Sequence, residues 1–531
     1  MTVKSIFKGL LAAVLAAGML CSCLPGGEGK PASPFPAVDG TGFVLDGGPY
    51  VIKSVAVAVN GNNVMTEDDY ETIADLGFNA VRLHWDYALL ESDADPYIYL
   101  DSGWKLLDAQ ISYAKKHRVK VLINMHFPQG GYQSSGQGTA LWTEQENQNR
   151  LVEMWGAIAK RYADNETVLG YGIVNEPVPC AANLKTGLRL WSELAGRITE
   201  RIRKADQNHI IFLERANGIA DQNGVRSPQA FGEEYRYGFP ESEDENTAYE
   251  FHFYDPYAFT SQIYRPQGDS YKPYLSYPND FVTEAQNPRF AENSYKGPTA
   301  DLANYEVQTV TGEPVRYDGD GPAYFQTGLS CVSSQAGGGV LLKGFRVREY
   351  DENGGLLGDV LSLTMEEPET FYIWSPDVSW SSQYDEVQKA AYIENAVGNF
   401  SAVLNEANIP MKKGHSYQTE ATLSLFGFSP DSQIAPFMNR YDCDGYSVLD
   451  KDYLRRQIET YVRFGEKEGI SLFLGEFGLS AAAQDPARGG LQWVSDVKGI
   501  LEEAGLSYSY FAYNDEYYPL NRNNWKGASA P

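Results

Sequence analysis

The sequence predicts an α/β fold: a (β/α)₈ barrel interrupted between strands six and seven by an all-β sandwich. Three observations predict it. From about residue 40, short apolar runs alternate with amphipathic stretches of helical period. The apolar runs are nearly continuous, the mark of parallel strands buried on both faces. The rhythm breaks from about 290 to 445 and then returns, and the total comes to eight strands.

The strands are YVIKSVAVAV (50–59), NAVRLHW (79–85), VKVLINMHF (119–127), VLGYGIVNEP (168–177), HIIFLER (209–215) and TAYEFHFYDP (247–256). Helical stretches separate them: TEDDYETIADLG (66–77), 103–118, 144–164 and 184–205. After the break come an amphipathic helix at 450–470 and SLFLGEFG (471–478). A helix at 491–505 and YSYFAYND (508–515) complete the count. Few residues follow, so the last barrel helix is expected to be missing or very short. Within the break, residues 337–364 alternate apolar and polar around the turn DENGG, a hairpin signature. GNFSAVL and GHSYQTEATLSLFGF add further strands.

The 531 residues are too many for one ordinary domain. The expected division is a signal peptide at 1–23, a tether at 24–39, barrel segments at 40–289 and 446–531, and the insert at 290–445. Lys4 and Lys8 precede an apolar run from Gly9 to Leu20, too short for a comfortable membrane span. The ending Leu20-Cys21-Ser22-Cys23 resembles a bacterial lipoprotein cleavage box. That resemblance implies lipidation of Cys23 and an extracytoplasmic, membrane-anchored protein, on the periplasmic face or the cell surface. An ordinary cleaved signal is the alternative. LPGGEGKPASPFP then reads as a flexible tether. Beyond it only Cys180, Cys331 and Cys443 remain, far apart and odd in number, so no disulfide framework or metal clip is visible, though one disulfide is possible.

The formal charge of −27 repels phosphate backbones and anionic lipid, which argues against nucleic acid as a partner. It suits an enzyme acting on neutral or cationic substrates.

Catalytic groups of such barrels sit at the C-terminal strand ends. Here those ends carry Arg82 and His84 (strand two), His126 (three), Asn175 and Glu176 (four), and Glu476 (seven). Glu250, His252 and Tyr254 recur every second residue on strand six and so share a face. Three of the chain's six histidines lie at these ends. Pro177 directly behind Glu176 stops strand pairing and puts that carboxylate at a rim, where a buried charge is costly without a purpose. Two glutamates on facing strands suit glycoside hydrolysis, one as proton donor and one as carboxylate at the anomeric carbon. No serine elbow, phosphate loop or HExxH competes. The loop PQGGYQSSGQGTALW (128–142) lacks the lysine of a phosphate site and reads as a cleft wall, with Tyr132 and Trp142 as candidate stacking residues. Glu250, two residues deeper than His252, reads as an interior partner of Arg82. His84 is either a hydrogen-bonding rim residue or a sugar contact.

The ordered set VRLHW, INMHF, GYGIVNEP, EFHFYDP and LFLGEFG resembles glycoside hydrolase family 5, the cellulase-type retaining barrel enzymes, over 40–290 and 445–515. The resemblance implies Glu176 as general acid/base and Glu476 as nucleophile. It implies Asn175 on the sugar 2-hydroxyl, Arg82 and Tyr254 orienting Glu476, and His126 and His252 lining the subsite and the proton path. It implies no metal and no cofactor, and a polysaccharide or oligosaccharide substrate. Phe511 stands where the family usually places a tryptophan platform, which leaves an unusual sugar open. The insert resembles carbohydrate-binding jelly rolls. A catalytically inactive glycan-binding lipoprotein and a transglycosylase are the alternative readings.

Overall fold

The computed structural model describes residues 32–59, 64–262, 275–293, 299–366, 372–375, 379–404 and 407–525. The signal peptide, the lipidation candidate Cys23 and most of the tether lie outside the described residues.

Eight parallel strands close a barrel. They are β1 (Lys53–Ala58), β2 (Ala80–Asp86), β3 (Lys120–Phe127), β4 (Val168–Gly172), β5 (Ile210–Glu214), β6 (Thr247–Phe253), β7 (Leu472–Phe477) and β8 (Ser507–Tyr510). Neighbours run in chain order and β8 pairs back to β1. Nearly every strand residue is buried, as the continuous apolar runs require.

The principal helices are α1 (Glu67–Asp75), α2 (Asp101–Lys116), α3 (Gln145–Tyr162), α4 (Leu184–Arg203), α5 (Lys451–Glu468) and α6 (Gly490–Glu503). Their starts follow side-chain chemistry. The Asn183 side chain accepts from the Thr186 N–H at 2.9 Å to cap α4, and Asp450 accepts from the Tyr453 N–H at 2.8 Å to cap α5. Helix α4 buries Leu184, Trp191, Leu194, Ala195, Ile198 and Ile202, a stripe at helical spacing. Helix α5 stops at Gly469, whose φ of +67° favours glycine.

Several elements differ from the sequence expectation. Strand β4 ends at Gly172, so Asn175 and Glu176 stand on the loop beyond it. Between β5 and β6 the chain makes only a short 3₁₀ segment, Glu233–Gly238, in place of a barrel helix. The end of the supposed tether is ordered: Ala37–Asp39 pairs antiparallel with Gly42–Leu45. Val38, Phe43 and Ile52 pack there on Leu122, Leu169, Ile210, Phe212, Ala248 and Phe473, closing the N-terminal end of the barrel. Among the described residues the last helix is the four-residue Arg522–Trp525, and the Trp525 ring stacks on Phe78 at 4.8 Å.

Among the described residues, one two-stranded pair, Asn279–Gln286 with Gly445–Leu449, and two seven-stranded antiparallel sheets lie between β6 and β7. One is centred on Ala323–Val332 and Gln433–Asp442, the other on Gly339–Tyr350 and Ser416–Phe426. Burial alternates strictly along Ser416–Phe426, as expected when one sheet face is covered. The hairpin expected at 337–364 is present, Gly339–Tyr350 pairing with Leu356–Leu363. Cys180, Cys331 and Cys443 are free thiols, so the conceivable disulfide is absent among them.

Candidate active site

Arg82, fully buried on β2, organises the C-terminal mouth of the barrel. Its Nη1 donates to Glu476 Oε1 at 2.7 Å, its Nη2 to Asn175 Oδ1 at 2.8 Å, and its Nε lies 2.7 Å from Glu250 Oε1. The planar fork thereby ties β2, the loop after β4, β6 and β7 together. Burial works against its charge, but the Glu250, Glu476 and Glu214 carboxylates outweigh burial and push its pKa up.

Glu476, on β7, also accepts from the Tyr254 hydroxyl at 2.9 Å. Glu176 stands opposite. Its φ of +42° is uncommon for a residue with a side chain, more so before a proline, and such local strain is tolerated where surrounding contacts over-determine it. Here Asn175 is held by Arg82, and the Glu176 carboxylate by His252 Nδ1 at 2.9 Å. A carboxylate oxygen of Glu176 and one of Glu476 lie within 4.8 Å of one another.

His252 is the electrostatic hinge. Its Nδ1 is 3.4 Å from Glu476 Oε2, and its Nε2 is 3.3 Å from Glu214 Oε1 and 3.6 Å from Glu250 Oε1. Burial disfavours its charge, but Glu214 and Glu476, with hydrogen bonds to Glu176 and Glu250, push its pKa well above the usual range. Burial would raise Glu176, yet the His252 hydrogen bond and charge, with Ser134 and His126, hold it down at about 2. Burial raises Glu476 despite the opposing pull of His252, Arg82 and Tyr254. In this arrangement the proton of the His252–Glu176 pair therefore sits on the imidazole.

His84 and His126 stack face to face at 3.9 Å, interplanar 11°. Burial, reinforced for both by nearby Arg82, keeps them uncharged, His84 well below its usual range and His126 down at about 3. His84 Nε2 lies 2.9 Å from Arg82 Nη1, so it is at least a hydrogen-bonding rim residue. Phe511 adds its ring 5.5 Å from His84 and 6.4 Å from Tyr254. Tyr132, partly exposed, stacks on Phe127 at 5.0 Å, and its ring is 6.3 Å from His126. The rings thus form an aromatic band along the mouth.

Trp142 does not join this band. It is buried, its indole N–H donates to Gln133 Oε1 at 2.7 Å, and its ring meets Trp191 edge-on. The apolar side of the short helix Ala140–Thr143 faces the core, so this indole is a packing element and the stacking expectation is corrected. Glu250 occupies the interior position against Arg82 that its depth predicts.

Sequence reasoning missed Glu214 and Ser134. Glu214 ends β5 as Glu176 follows β4, and the strand-end rule would have found it. Ser134 sits in an irregular loop, and no pattern marks it; its Oγ is 3.4 Å from Asn175 Nδ2.

Three overlapping sets of this cluster bring possible metal-ligand atoms together: His84 with His126 and Glu476, Glu176 with His252 and Glu476, and Glu214 with Glu250 and His252. The Arg82 guanidinium already touches Glu476 and Glu250, and a dication placed beside it would meet direct repulsion. The donor set is an ion-pair network and fits a resident metal poorly.

Paired carboxylates at the mouth of a closed (β/α)₈ barrel, steered by a buried arginine, define the class: a barrel with a glycoside hydrolase type of site. Residues 40–296 match the family described as Cellulase (glycosyl hydrolase family 5). Endoglucanase C of Acetivibrio thermocellus is 28% identical over 198 residues, 37% of this chain and 52% of that protein. A beta-xylosidase of Phanerodontia chrysosporium is 30% identical over 200 residues, 36% of this chain and 38% of that one. Cellodextrinase A of Ruminococcus flavefaciens is 27% identical over 202 residues, 38% and 54% of the two chains. The chain spans about half or less of the length of these relatives. Endoglucanase Cel5A of Thermotoga maritima superposes with a TM-score of 0.47 at 15% identity, over 90% of this chain and 96% of that one.

Proposed function

We propose that the protein is a retaining glycoside hydrolase acting on a polysaccharide or oligosaccharide. The observation that carries the reading is the pair Glu176 and Glu476, with carboxylate oxygens within 4.8 Å at the barrel mouth. Retaining enzymes hold their two carboxyls about 5–5.5 Å apart, whereas inverting enzymes leave room for a water at about 6.5–9.5 Å. Glu476, gripped by Arg82 and Tyr254, attacks the anomeric carbon as carboxylate. Glu176, having taken the His252 Nδ1 proton, gives it to the leaving oxygen. Water then resolves the glycosyl-enzyme with Glu176 as base. Asn175, held by Arg82 at 2.8 Å, binds the sugar 2-hydroxyl, and the aromatic band meets the ring faces. The endoglucanase, cellodextrinase and beta-xylosidase relatives favour a β-linked glycan of plant or microbial origin.

The remaining expectations belong to the same proposal. A lipid on Cys23 anchors the enzyme outside the cytoplasm, and the two sheets between β6 and β7 form an inserted domain that supports the cleft or holds glycan.

The test is a panel of aryl β-glycosides, pyranosides and furanosides, with polysaccharides, assayed beside Glu176→Gln and Glu476→Gln. Turnover abolished by both substitutions supports the hydrolase and names the sugar. No turnover, with retention on a glycan affinity gel, would replace it with a binding protein.

A further inference from the structure

Behind His252, on the side away from Glu176, lies a carboxyl that this mechanism leaves unused. Glu214 ends β5 and is only 3% exposed. Its Oε1 is 3.3 Å from His252 Nε2 and its Oε2 is 3.5 Å from Arg82 Nη2. Its backbone carbonyl accepts from the Trp191 indole at 2.8 Å, which fixes the strand end against α4. The imidazole therefore bridges two carboxyls from different elements, Glu214 through Nε2 and Glu176 through Nδ1. Glu250 also approaches Nε2, at 3.6 Å, but the same oxygen is engaged by Arg82 Nε at 2.7 Å. Glu214 Oε1 is the nearer carboxylate oxygen, and Arg82 Nη2 also stands 3.5 Å from Nε2.

We propose that Glu214 is a positioning residue that holds the Nε2–H of His252, so that Nδ1 gives a proton to Glu176 and later recovers it. The inference rests on the hydrolase reading and adds a residue outside the glutamate pair.

The proton balance is simple. The His252 Nδ1–H bond breaks as the Glu176 Oε1–H bond forms, which turns imidazolium and carboxylate into neutral imidazole and carboxylic acid. In the proposal the neutral ring keeps its Nε2–H, and Glu214 Oε1, at 3.3 Å, is the carboxylate oxygen nearest to that nitrogen. Glu176 passes the proton to the leaving oxygen. In the second half the attacking water gives a proton to Glu176, and its return to Nδ1 restores the start. An imidazole exchanging a proton at one nitrogen needs the other fixed by a partner.

The groups facing Glu214 and His252 are Arg82 and His84 on β2, His126 on β3, Glu176 beyond β4, Glu250 on β6 and Glu476 on β7. Burial pushes the Glu214 carboxyl well up against the pull of His252 and Arg82, and in its ionised form it is the first of the carboxylate charges that raise His252. The two groups thus hold protons jointly.

The experiment compares wild type, Glu214→Gln and Glu214→Asp on two aryl glycosides of the sugar the panel selects, one with a dinitrophenyl and one with a phenyl leaving group. Glu214→Gln should lower kcat/KM on the phenyl glycoside about tenfold or more and change the dinitrophenyl glycoside little, because a good leaving group needs no acid. The alkaline limb of its pH profile should move to lower pH, and Glu214→Asp should restore part of both. Equal loss on both glycosides, or an unmoved limb, would overturn the proposal. Nitrogen-15 NMR of His252 in the wild-type protein gives a second readout should Glu214→Gln fail to fold. The result expected is an Nε2-protonated ring at every pH where a proton remains; an Nδ1–H neutral tautomer would refute the role. Absence of wild-type turnover would defeat the hydrolase reading, while the NMR result would still judge the placement of Glu214.

Discussion

His252 Nδ1 lies 2.9 Å from Glu176 Oε1 and 3.4 Å from Glu476 Oε2, so one nitrogen is shared by the two candidate catalytic carboxylates. A cation between two anions lets both stay ionised at close range. It also places a transferable proton where an acid is needed.

That arrangement predicts a distinct behaviour for each glutamate. Glu476→Ala should abolish turnover of every glycoside. Glu176→Ala should lose about 10²–10⁴-fold on poor leaving groups yet keep forming the glycosyl-enzyme from a dinitrophenyl glycoside. Added azide should then accelerate turnover and yield a glycosyl azide of retained configuration, identified by NMR. An inverted azide would contradict a retaining mechanism.

The charges predict a pH response. The active form needs Glu476 ionised and one proton on the His252–Glu176 pair. Activity should fall in acid as Glu476, raised by burial, takes a proton, and in alkali only as the raised His252 loses its own. In His252→Gln the proton must reside on Glu176 alone, so the alkaline limb of kcat/KM should move to lower pH. Stability follows linkage. His252 is raised in the fold, so its contribution is full below the unfolded value of about 6.5 and is lost as pH rises through the folded value. The unfolding-temperature difference between wild type and His252→Gln, measured against pH, should shrink in that direction.

Arg82 predicts a coupling of stability to activity. Removing one partner of a buried ion pair costs about 3–5 kcal/mol because the other charge is left uncompensated. Arg82→Met should lower the denaturation midpoint accordingly. Arg82→Lys keeps the charge but not the fork, so it should recover part of the stability and little of the kcat. Denaturant titration and steady-state kinetics measure both.

Phe511 predicts a binding effect separable from chemistry. Its ring meets His84, Tyr254 and Tyr518, the last at 5.7 Å. Phe511→Ala should raise KM by roughly 2- to 10-fold, the equivalent of an aromatic contact worth about 0.5–1.5 kcal/mol. The pH limbs should stay in place.

The two aromatic residues of the 128–142 loop should part company. Trp142→Ala, at a packed and hydrogen-bonded site, should cost about 3–5 kcal/mol of stability. Tyr132→Ala, at the cleft surface, should change stability by no more than about 0.5 kcal/mol and act on KM. Thermal unfolding beside substrate saturation curves distinguishes them.

The sequence by itself determined the eight strands, because a strand buried on both faces must be apolar throughout. It also determined Arg82, Asn175, Glu176, His252, Tyr254 and Glu476 as a set, because polar residues closing apolar runs are conspicuous. Only the tertiary structure decided which groups touch. Glu214 carries the same strand-end signature as Glu176, yet its contact with His252 depends on how β5 and β6 pair across the barrel. Trp142 and Tyr132 lie in one loop, but the direction each ring takes is set by the helix Ala140–Thr143 and the core it covers. The contact of Trp525 with Phe78 joins residues far apart along the chain, and no local pattern announces it. Local pattern fixes which residues are buried or at a rim; closure of the barrel brings rims from distant strands within hydrogen-bonding range.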